Sequence, residues 1–137
     1  MIIWNNSMLI GVPQIDSQHK ALVEAINRLM DACNQGKGRA EIEQTLNFVV
    51  SYTLNHFRDE EGIQQKHGFP EAVSHKRIHT QFTTDVGALV QEFNQVGPSV
   101  SLVGKLNKSL GDWVVKHIKT EDKKIGEHIN KASGKSA

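Results

Sequence analysis

Histidines are frequent in this chain, and their spacing indicates that several of them could act together. The 137 residues include seven histidines, against one tyrosine and three prolines. Five of them continue apolar stripes of three- and four-residue spacing, which predicts buried helix faces: His19, His56, His75, His79 and His117. Glu60 follows His56 by four residues and would share its face. Such a set of imidazole nitrogens and carboxylate oxygens is suited to holding metal ions.

The alternative is that these histidines are ordinary core residues. A single histidine on an apolar face is usually of that kind, with one satisfied hydrogen bond. Five buried imidazoles and a carboxylate without a common partner would leave many polar atoms unpaired, at ~1–3 kcal/mol each. The whole free energy of unfolding of a domain is only ~5–15 kcal/mol. A shared metal centre removes that cost, and we therefore predict one.

The number and type of ligands favour two metal ions. At a rise of about 1.5 Å per residue, His75 and His79 lie about 6 Å apart along a helix axis, which suits two neighbouring ions. Cys33 is the single cysteine, which excludes both an internal disulfide and a thiolate-built site. Nitrogen and oxygen ligands argue against structural zinc and for iron, manganese or a similar octahedral ion. The five histidines, two bridging carboxylates and a shared oxo or hydroxo group would leave one position open for a small ligand.

Helix-breaking residues divide the chain into elements that could position these ligands. Asp16 is the expected N-cap of the first helix, Gln35-Gly36-Lys37-Gly38 is a turn, and Pro70 and Pro98 precede later helices. The expected helices span residues 16–34, 40–66, 71–95 and 100–130. In the last, the expected apolar stripe is Val103, Leu106, Leu110 and Trp113. Long helices with one stripe each, joined by short turns, predict an all-α fold, an antiparallel up-down four-helix bundle.

This bundle would form one domain with two short flanking segments. An irregular N-terminal arm covers residues 1–15, the bundle residues 16–131 and a polar tail residues 132–137. Trp4 is expected to pack the arm onto the bundle. The predicted ligands all fall toward one end of the bundle.

Charge and hydropathy exclude several classes of partner. The formal net charge is +1, from 16 basic and 15 acidic side chains that are well mixed. This gives no reason to expect nucleic acid or an anionic membrane as a partner. There is no apolar run near the roughly 20 residues that span a bilayer, and no secretory signal pattern at the N-terminus. We expect a soluble, cytoplasmic protein.

Four sequence segments resemble the hemerythrin family, in particular its bacterial single-domain members. They are Ile15-Asp16-Ser17-Gln18-His19, His56-Phe57-Arg58-Asp59-Glu60-Glu61, His75-Lys76-Arg77-Ile78-His79 and His117-Ile118-Lys119-Thr120-Glu121-Asp122. The resemblance runs from Trp4 to about Ile129. It implies two iron ions joined by an oxo or hydroxo bridge, a dioxygen ligand, and other small ligands such as azide or nitric oxide.

The resemblance also implies a role for each ligand. His75, His79 and His117 would hold one iron, and His19 and His56 the other, which keeps the open position. Glu60 and Asp122 would bridge the two. Helix geometry alone would select Glu121, about 40° around the helix from His117, over Asp122, about 140° away. Asp122 therefore requires a local distortion of the helix.

Residues outside this ligand set have simpler expected roles. Gln64, one turn after Glu60, could face the site and hydrogen-bond a bridging carboxylate or the bound ligand, but a side chain turned toward solvent is the favoured interpretation. His67 and His128 are expected at the surface. Cys33 is expected to be a small core residue, and Trp113 to pack in the core beside the site.

The leading functional hypothesis is a dioxygen carrier or store that delivers to oxygen-using enzymes, and not an enzyme itself. A histidine-rich site supplies few anionic donors, which favours reversible dioxygen binding over oxygen insertion. An oxygen or redox sensor is the second hypothesis, although a chain with Met1 at one end and a short polar tail at the other favours a free-standing carrier. A di-iron enzyme that handles peroxide, nitric oxide or ferrous iron is the third.

Overall fold

The chain folds into four long helices joined by short turns. The structure, a computed structural model, describes residues 2–132. The first three helices are α1, Pro13–Asn34, α2, Arg39–Lys66, and α3, Ala72–Val96. The fourth, α4, covers residues 100–132. Each helix packs on the next, and α4 packs back on α1, which confirms the predicted antiparallel up-down bundle. Residues 133–137 of the predicted tail lie outside the described residues.

The first helix begins earlier than predicted. It starts at Pro13, where a missing N–H costs nothing, and Asp16 is not its N-cap. The Asp16 carboxylate instead accepts hydrogen bonds from the backbone N–H groups of Ile10, at 2.7 Å, and Gly11, at 3.2 Å. This residue therefore fastens the N-terminal arm to α1.

The fourth helix contains two π-helical segments, Asn107–Asp112 and Ile118–Asp122. Its main buried stripe recurs every four residues: Leu102, Leu106, Leu110, Val114, Ile118 and Asp122. In an ideal α-helix a four-residue period drifts by about 40° per step, and this stripe would drift by about 200°. The wider π turns remove the drift and keep the stripe on the core. The predicted stripe was therefore partly wrong, since Val103 and Trp113 are only half-buried.

The N-terminal arm closes the bundle beside α4. Met8 and Ile10 are buried, and Trp4 packs half-buried against the core, as predicted. The short 3₁₀ turn Asn6–Met8 contacts the π segment Ile118–Asp122. The arm approaches Gly126 so closely that a Cβ there would overlap the carbonyl oxygen of Ile10. Within residues 2–132, none of the helices combines the length and apolar composition needed to cross a bilayer.

Candidate metal centre

All four helices contribute to a buried polar cluster near one end of the bundle. Each of its seven side chains is at most 6% exposed. They are His19 on α1, His56 and Glu60 on α2, His75 and His79 on α3, and His117 and Asp122 on α4. These are the seven residues expected from the sequence, and the fold brings all of them together.

Three imidazoles form one half of the cluster. His75 Nε2 lies 2.9 Å from Glu60 Oε1 and 3.0 Å from Asp122 Oδ1. His79 Nε2 lies 3.2 Å from Glu60 Oε1, and His117 Nε2 lies 3.1 Å from Asp122 Oδ1. All five residues present a ligand atom within 4.8 Å of the others, which is close enough to surround one metal ion.

Two imidazoles form the other half. His19 Nε2 lies 3.0 Å from Asp122 Oδ2 and 3.5 Å from Glu60 Oε2. His56 Nε2 lies 3.2 Å from Glu60 Oε2. These four residues again have ligand atoms within 4.8 Å of one another. The cluster therefore offers a second metal position with one histidine fewer.

The two carboxylates divide their oxygens between the halves. Glu60 turns Oε1 toward the three-histidine half and Oε2 toward the two-histidine half. Asp122 does the same with Oδ1 and Oδ2. This is the geometry by which a carboxylate bridges two adjacent metal ions.

Several ligand atoms of the cluster are close to one another without being hydrogen-bonded. His19 Nε2, Glu60 Oε2 and Asp122 Oδ1 are buried and have no protein hydrogen-bond partner. His19 Nε2 lies 3.5 Å from Glu60 Oε2, and Asp122 Oδ1 lies 3.0 Å from His75 Nε2; both are ion-pair distances without hydrogen-bond geometry. Atoms that point at a common position rather than at each other are what a bound cation requires. The residues present therefore fit a pair of octahedral metal ions with nitrogen and oxygen ligands.

The cluster is electrostatically self-consistent in its metal-free form. Burial would raise the pKa of Glu60, but hydrogen bonds from the surrounding imidazoles outweigh it and hold that pKa well below its usual range. The pKa of Asp122 is likewise lowered, against both burial and the charge of Glu60. Burial would lower the pKa values of His19 and His75, but the close approach and negative charge of the two carboxylates raise both to about 9. The two carboxylates thus favour positive charge on the neighbouring imidazoles, as they would favour a bound cation.

The second π segment decides which acid of α4 enters the cluster. Asp122 is 1% exposed and lies at the end of the Ile118–Asp122 segment. Glu121 is half-buried, and its carboxylate lies 3.5 Å from Lys124 Nζ. The local helix distortion that the Asp122 assignment required is thus present.

Two side chains that hydrogen-bond candidate ligand histidines at Nδ1 were not identified from the sequence. Gln18 Oε1 lies 2.7 Å from His56 Nδ1, and Glu61 Oε2 lies 2.9 Å from His79 Nδ1. Metal-binding histidines usually donate their second N–H to such a partner, which fixes the tautomer and the ring orientation. Both residues lie inside the four hemerythrin-like segments, each directly next to a candidate ligand. That position is the feature of the sequence from which they could have been identified.

Gln64 is the clearest error of the sequence interpretation. Its side chain does not turn toward solvent: the residue is 0% exposed, one turn beyond Glu60 on α2. Neither side-chain polar atom has a hydrogen-bond partner among the described residues. Gln64 follows His56 and Glu60 at four-residue spacing, and the helix face that carries them stays buried as far as Gln64.

Aromatic rings wall the three-histidine half. The Phe57 ring stacks on His79, with centroids 3.7 Å apart, and Trp113 stacks on His117 at 4.4 Å. Phe82 stacks in turn on Trp113 at 3.9 Å. The predicted position of Trp113 beside the site is confirmed, and these contacts restrict the rotation of two candidate ligands.

The remaining histidines and the cysteine are separate from the cluster. His67 is exposed and His128 is half-buried, with His128 Nε2 donating to the His67 carbonyl oxygen at 2.8 Å. Cys33 is half-buried against the core.

Comparisons with known proteins agree with this architecture. The sequence profile described as "Hemerythrin HHE cation binding domain" matches residues 10–129. The chain is 36% identical to a bacteriohemerythrin of Pseudomonas aeruginosa (strain LESB58) over 121 residues, or 88% of this chain and 76% of that protein. It is 28% identical to myohemerythrin-1 of Phascolopsis gouldii, over 88% of this chain and 87% of that protein.

Solved structures show the same similarity. A crystal structure of wild-type hemerythrin superposes with a TM-score of 0.83 at 28% identity, over 92% of this chain and 95% of that one. Sequence profile, relatives and fold agree with the geometry of the cluster, and the chain belongs to the hemerythrin family.

Proposed function

We propose that this protein binds dioxygen reversibly at a non-heme di-iron site, for storage or for delivery to oxygen-using enzymes. The observation that carries the proposal is the way Glu60 and Asp122 divide their oxygens between a three-histidine and a two-histidine half. Hemerythrins as a family hold a non-heme di-iron centre and bind dioxygen. The cytoplasmic location expected from the sequence stays a prediction.

The ligand assignment follows from the two halves of the cluster. His75, His79 and His117 would hold one iron, and His19 and His56 the other, with Glu60, Asp122 and an oxo or hydroxo group as bridges. The unequal number of histidines would leave one coordination position open beside His19 and His56. When bound, the iron pair supplies that position and the electrons that dioxygen takes up and returns.

The chain itself supplies a rigid and water-poor enclosure. All seven candidate ligands are at most 6% exposed, and rings of Phe57 and Trp113 stack on two of them. A dry site limits proton access, which protects a reversible carrier from irreversible oxidation. Only two carboxylates would neutralise the charge of the metal ions, which favours the lower oxidation states of iron over the higher ones. Reversible dioxygen binding is therefore favoured over oxygen insertion.

The test is a cycle of dioxygen uptake and release. Protein loaded with ferrous iron under anaerobic conditions is exposed to dioxygen, then returned to an inert atmosphere, while the visible spectrum and the iron content are followed. We expect two irons per chain, one dioxygen per iron pair and a charge-transfer band that disappears on removal of dioxygen. Sustained consumption of dioxygen, peroxide or nitric oxide without saturation would instead identify an enzyme.

Matched histidine variants locate the site. His56→Gln should abolish uptake and lower the iron content, because it removes a ligand from the two-histidine half. His67→Gln should change neither, since His67 is exposed and outside the cluster. Equal effects of the two substitutions would contradict the assignment.

A sensor role is the second candidate, and one contact favours it. The Asn6–Met8 turn of the arm packs against the Ile118–Asp122 segment, which carries a candidate bridging ligand. A shift of Asp122 could therefore be transmitted to the arm directly, because the two segments are in contact. If so, the arm should become more accessible to protease when dioxygen is added to the reduced protein, whereas a simple carrier should show equal cleavage in both states.

A further inference from the structure

Gln18 and Asp59 form a hydrogen-bonded chain that ends on a candidate metal ligand. Gln18 Nε2 donates to Asp59 Oδ2 at 3.0 Å, and Gln18 Oε1 lies 2.7 Å from His56 Nδ1. Gln18 is half-buried on α1, while Asp59 is exposed on α2. The chain therefore joins the surface to the ring of a buried histidine.

The direction of this chain is decided by charge. An ionised Asp59 carboxylate can only accept hydrogen bonds, so it must receive the NH₂ end of the Gln18 amide. The carbonyl end of that amide then faces His56 Nδ1. Because a carbonyl oxygen cannot donate, the bond to His56 forms only when Nδ1 carries a hydrogen. The neutral imidazole then presents its lone pair at Nε2, the atom that faces Glu60 and the cluster.

We propose that Gln18 and Asp59 are positioning residues that hold His56 in the Nδ1–H form, ready to ligate metal through Nε2. This inference rests on the proposed di-iron function for its purpose, but the hydrogen bond from His56 Nδ1 to Gln18 Oε1 does not need a metal ion. Gln18 acts directly on His56, and Asp59 acts through Gln18 by preventing the amide from turning around.

The two halves of the cluster are supported differently. His79, in the three-histidine half, is held directly by the Glu61 carboxylate at 2.9 Å. His56, in the two-histidine half, is held by a neutral amide that is itself oriented by a carboxylate. In the half that would keep the open position, His56 thus has a fixed tautomer. Its imidazole is less electron-rich than that of His79, because an amide and not a carboxylate accepts its Nδ1–H.

The decisive variant is Asp59→Asn, which changes an exposed side chain and no ligand. An asparagine can donate or accept, so the Gln18 amide can adopt both orientations and His56 both tautomers. Asp31→Asn is the matched control, because Asp31 is also exposed and accepts from a glutamine amide, Gln35 Nε2, at 2.8 Å, away from the cluster.

The first measurement is the tautomer of His56 in the metal-free protein. Nitrogen-15 NMR of the imidazole shows which ring nitrogen carries a hydrogen. We expect Nδ1–H in the wild type and in Asp31→Asn, and a mixture in Asp59→Asn. An Nε2–H ring in the wild type, or an unchanged ring in Asp59→Asn, would overturn the proposal.

The second measurement is anaerobic titration with ferrous iron. Loss of such a supporting hydrogen bond typically weakens metal binding about 10–100-fold, and we expect about 10-fold for the second iron in Asp59→Asn. Gln18→Glu keeps an acceptor for His56 Nδ1–H and should retain the tautomer, whereas Gln18→Leu should lose it. If Gln18 only fills space, leucine should serve at least as well as glutamate.

The two proposals fail in different ways. A fixed His56 tautomer in a protein that takes up no iron would reject the di-iron function and keep this inference. Normal loading with two irons, together with an Asp59→Asn variant that behaves as wild type in both measurements, would reject this inference alone.

Discussion

Gly126 offers a prediction whose sign depends on tertiary structure. It lies in the Lys123–Ala132 part of α4, where propensity alone favours alanine by about 1 kcal/mol. The structure indicates the opposite, because a Cβ at this position would overlap the carbonyl oxygen of Ile10 and lie 2.7 Å from its carbonyl carbon. Both obstructing atoms belong to the backbone, so a side-chain rotation cannot relieve the overlap.

The magnitude follows from what the arm buries. Met8 is 1% exposed and Ile10 is 6% exposed, and burying a side chain of this size is worth about 1.5–3 kcal/mol. Displacing the arm would lose about 3–6 kcal/mol, against the gain of about 1 kcal/mol in helix propensity. We therefore expect Gly126→Ala to lower the free energy of unfolding by about 2–5 kcal/mol.

The assay is reversible unfolding of the metal-free protein in urea and by heating, followed by circular dichroism. A loss of this size should lower the midpoint temperature by roughly 10 °C in a chain of this length. Gly104→Ala is the control, since Gly104 is an exposed glycine of the same helix with nothing within 4 Å of its added Cβ. That variant should be stabilised by about 0.5–1 kcal/mol.

Two outcomes distinguish a docked arm from a detached one. If Gly126→Ala gained stability to the same extent as Gly104→Ala, the arm would not be docked on α4 in solution. Increased protease cleavage of the arm in Gly126→Ala, but not in Gly104→Ala, would show independently of the unfolding data that the substitution displaces the arm.

Three further predictions concern the cluster. Asp122→Asn should reduce bound iron below two per chain, whereas Glu121→Gln should leave it unchanged, and iron analysis that showed equal loss would contradict the role of the π segment. In the metal-free protein the pKa values of His19 and His75 are raised to about 9. Their protonated forms therefore stabilise the fold, and this stabilisation is complete below about pH 6.5. It is lost as the pH rises through about 9. The midpoint temperature of the metal-free protein should therefore fall by roughly 5 °C or more between about pH 6.5 and about pH 10, and a flat profile would oppose the ion pairs described. Glu61→Gln should weaken the iron of the three-histidine half by about 10-fold in a ferrous titration, because it removes the charged partner of His79 Nδ1; loss at the other iron instead would reverse the assignment of the halves.

Local patterning was enough to predict the helices and most of the cluster. Three- and four-residue spacing placed His56 and Glu60 on the buried face of α2, because neighbours at that spacing share a face of any regular helix. The same spacing on α3 placed His75 and His79. Turn residues such as Gly97, which has φ +74° and ends α3, set the connections. These are properties of short segments and need no knowledge of the rest of the chain.

The fourth helix shows where local reasoning stops. Its main buried residues recur every four positions, a period that fits neither a straight α-helix nor the predicted stripe with Val103 and Trp113. Packing of Leu102 through Asp122 against α1 and α3 selects the π segments, because only a wider turn keeps that stripe buried. The place of Asp122, rather than Glu121, beside the histidines is a consequence.

The five cluster histidines could be identified from the sequence, but their hydrogen-bond partners could not. The hydrogen bonds from His56 to Gln18 and from His79 to Glu61 join residues 38 and 18 positions apart in the sequence. No periodicity relates such pairs, since the distance between two helices depends on the packing of the whole bundle. Spacing along the sequence therefore determined which histidines, together with Glu60, could ligate metal. Tertiary structure decided how each would be oriented, that Asp122 joins them, and that Gln64 is buried.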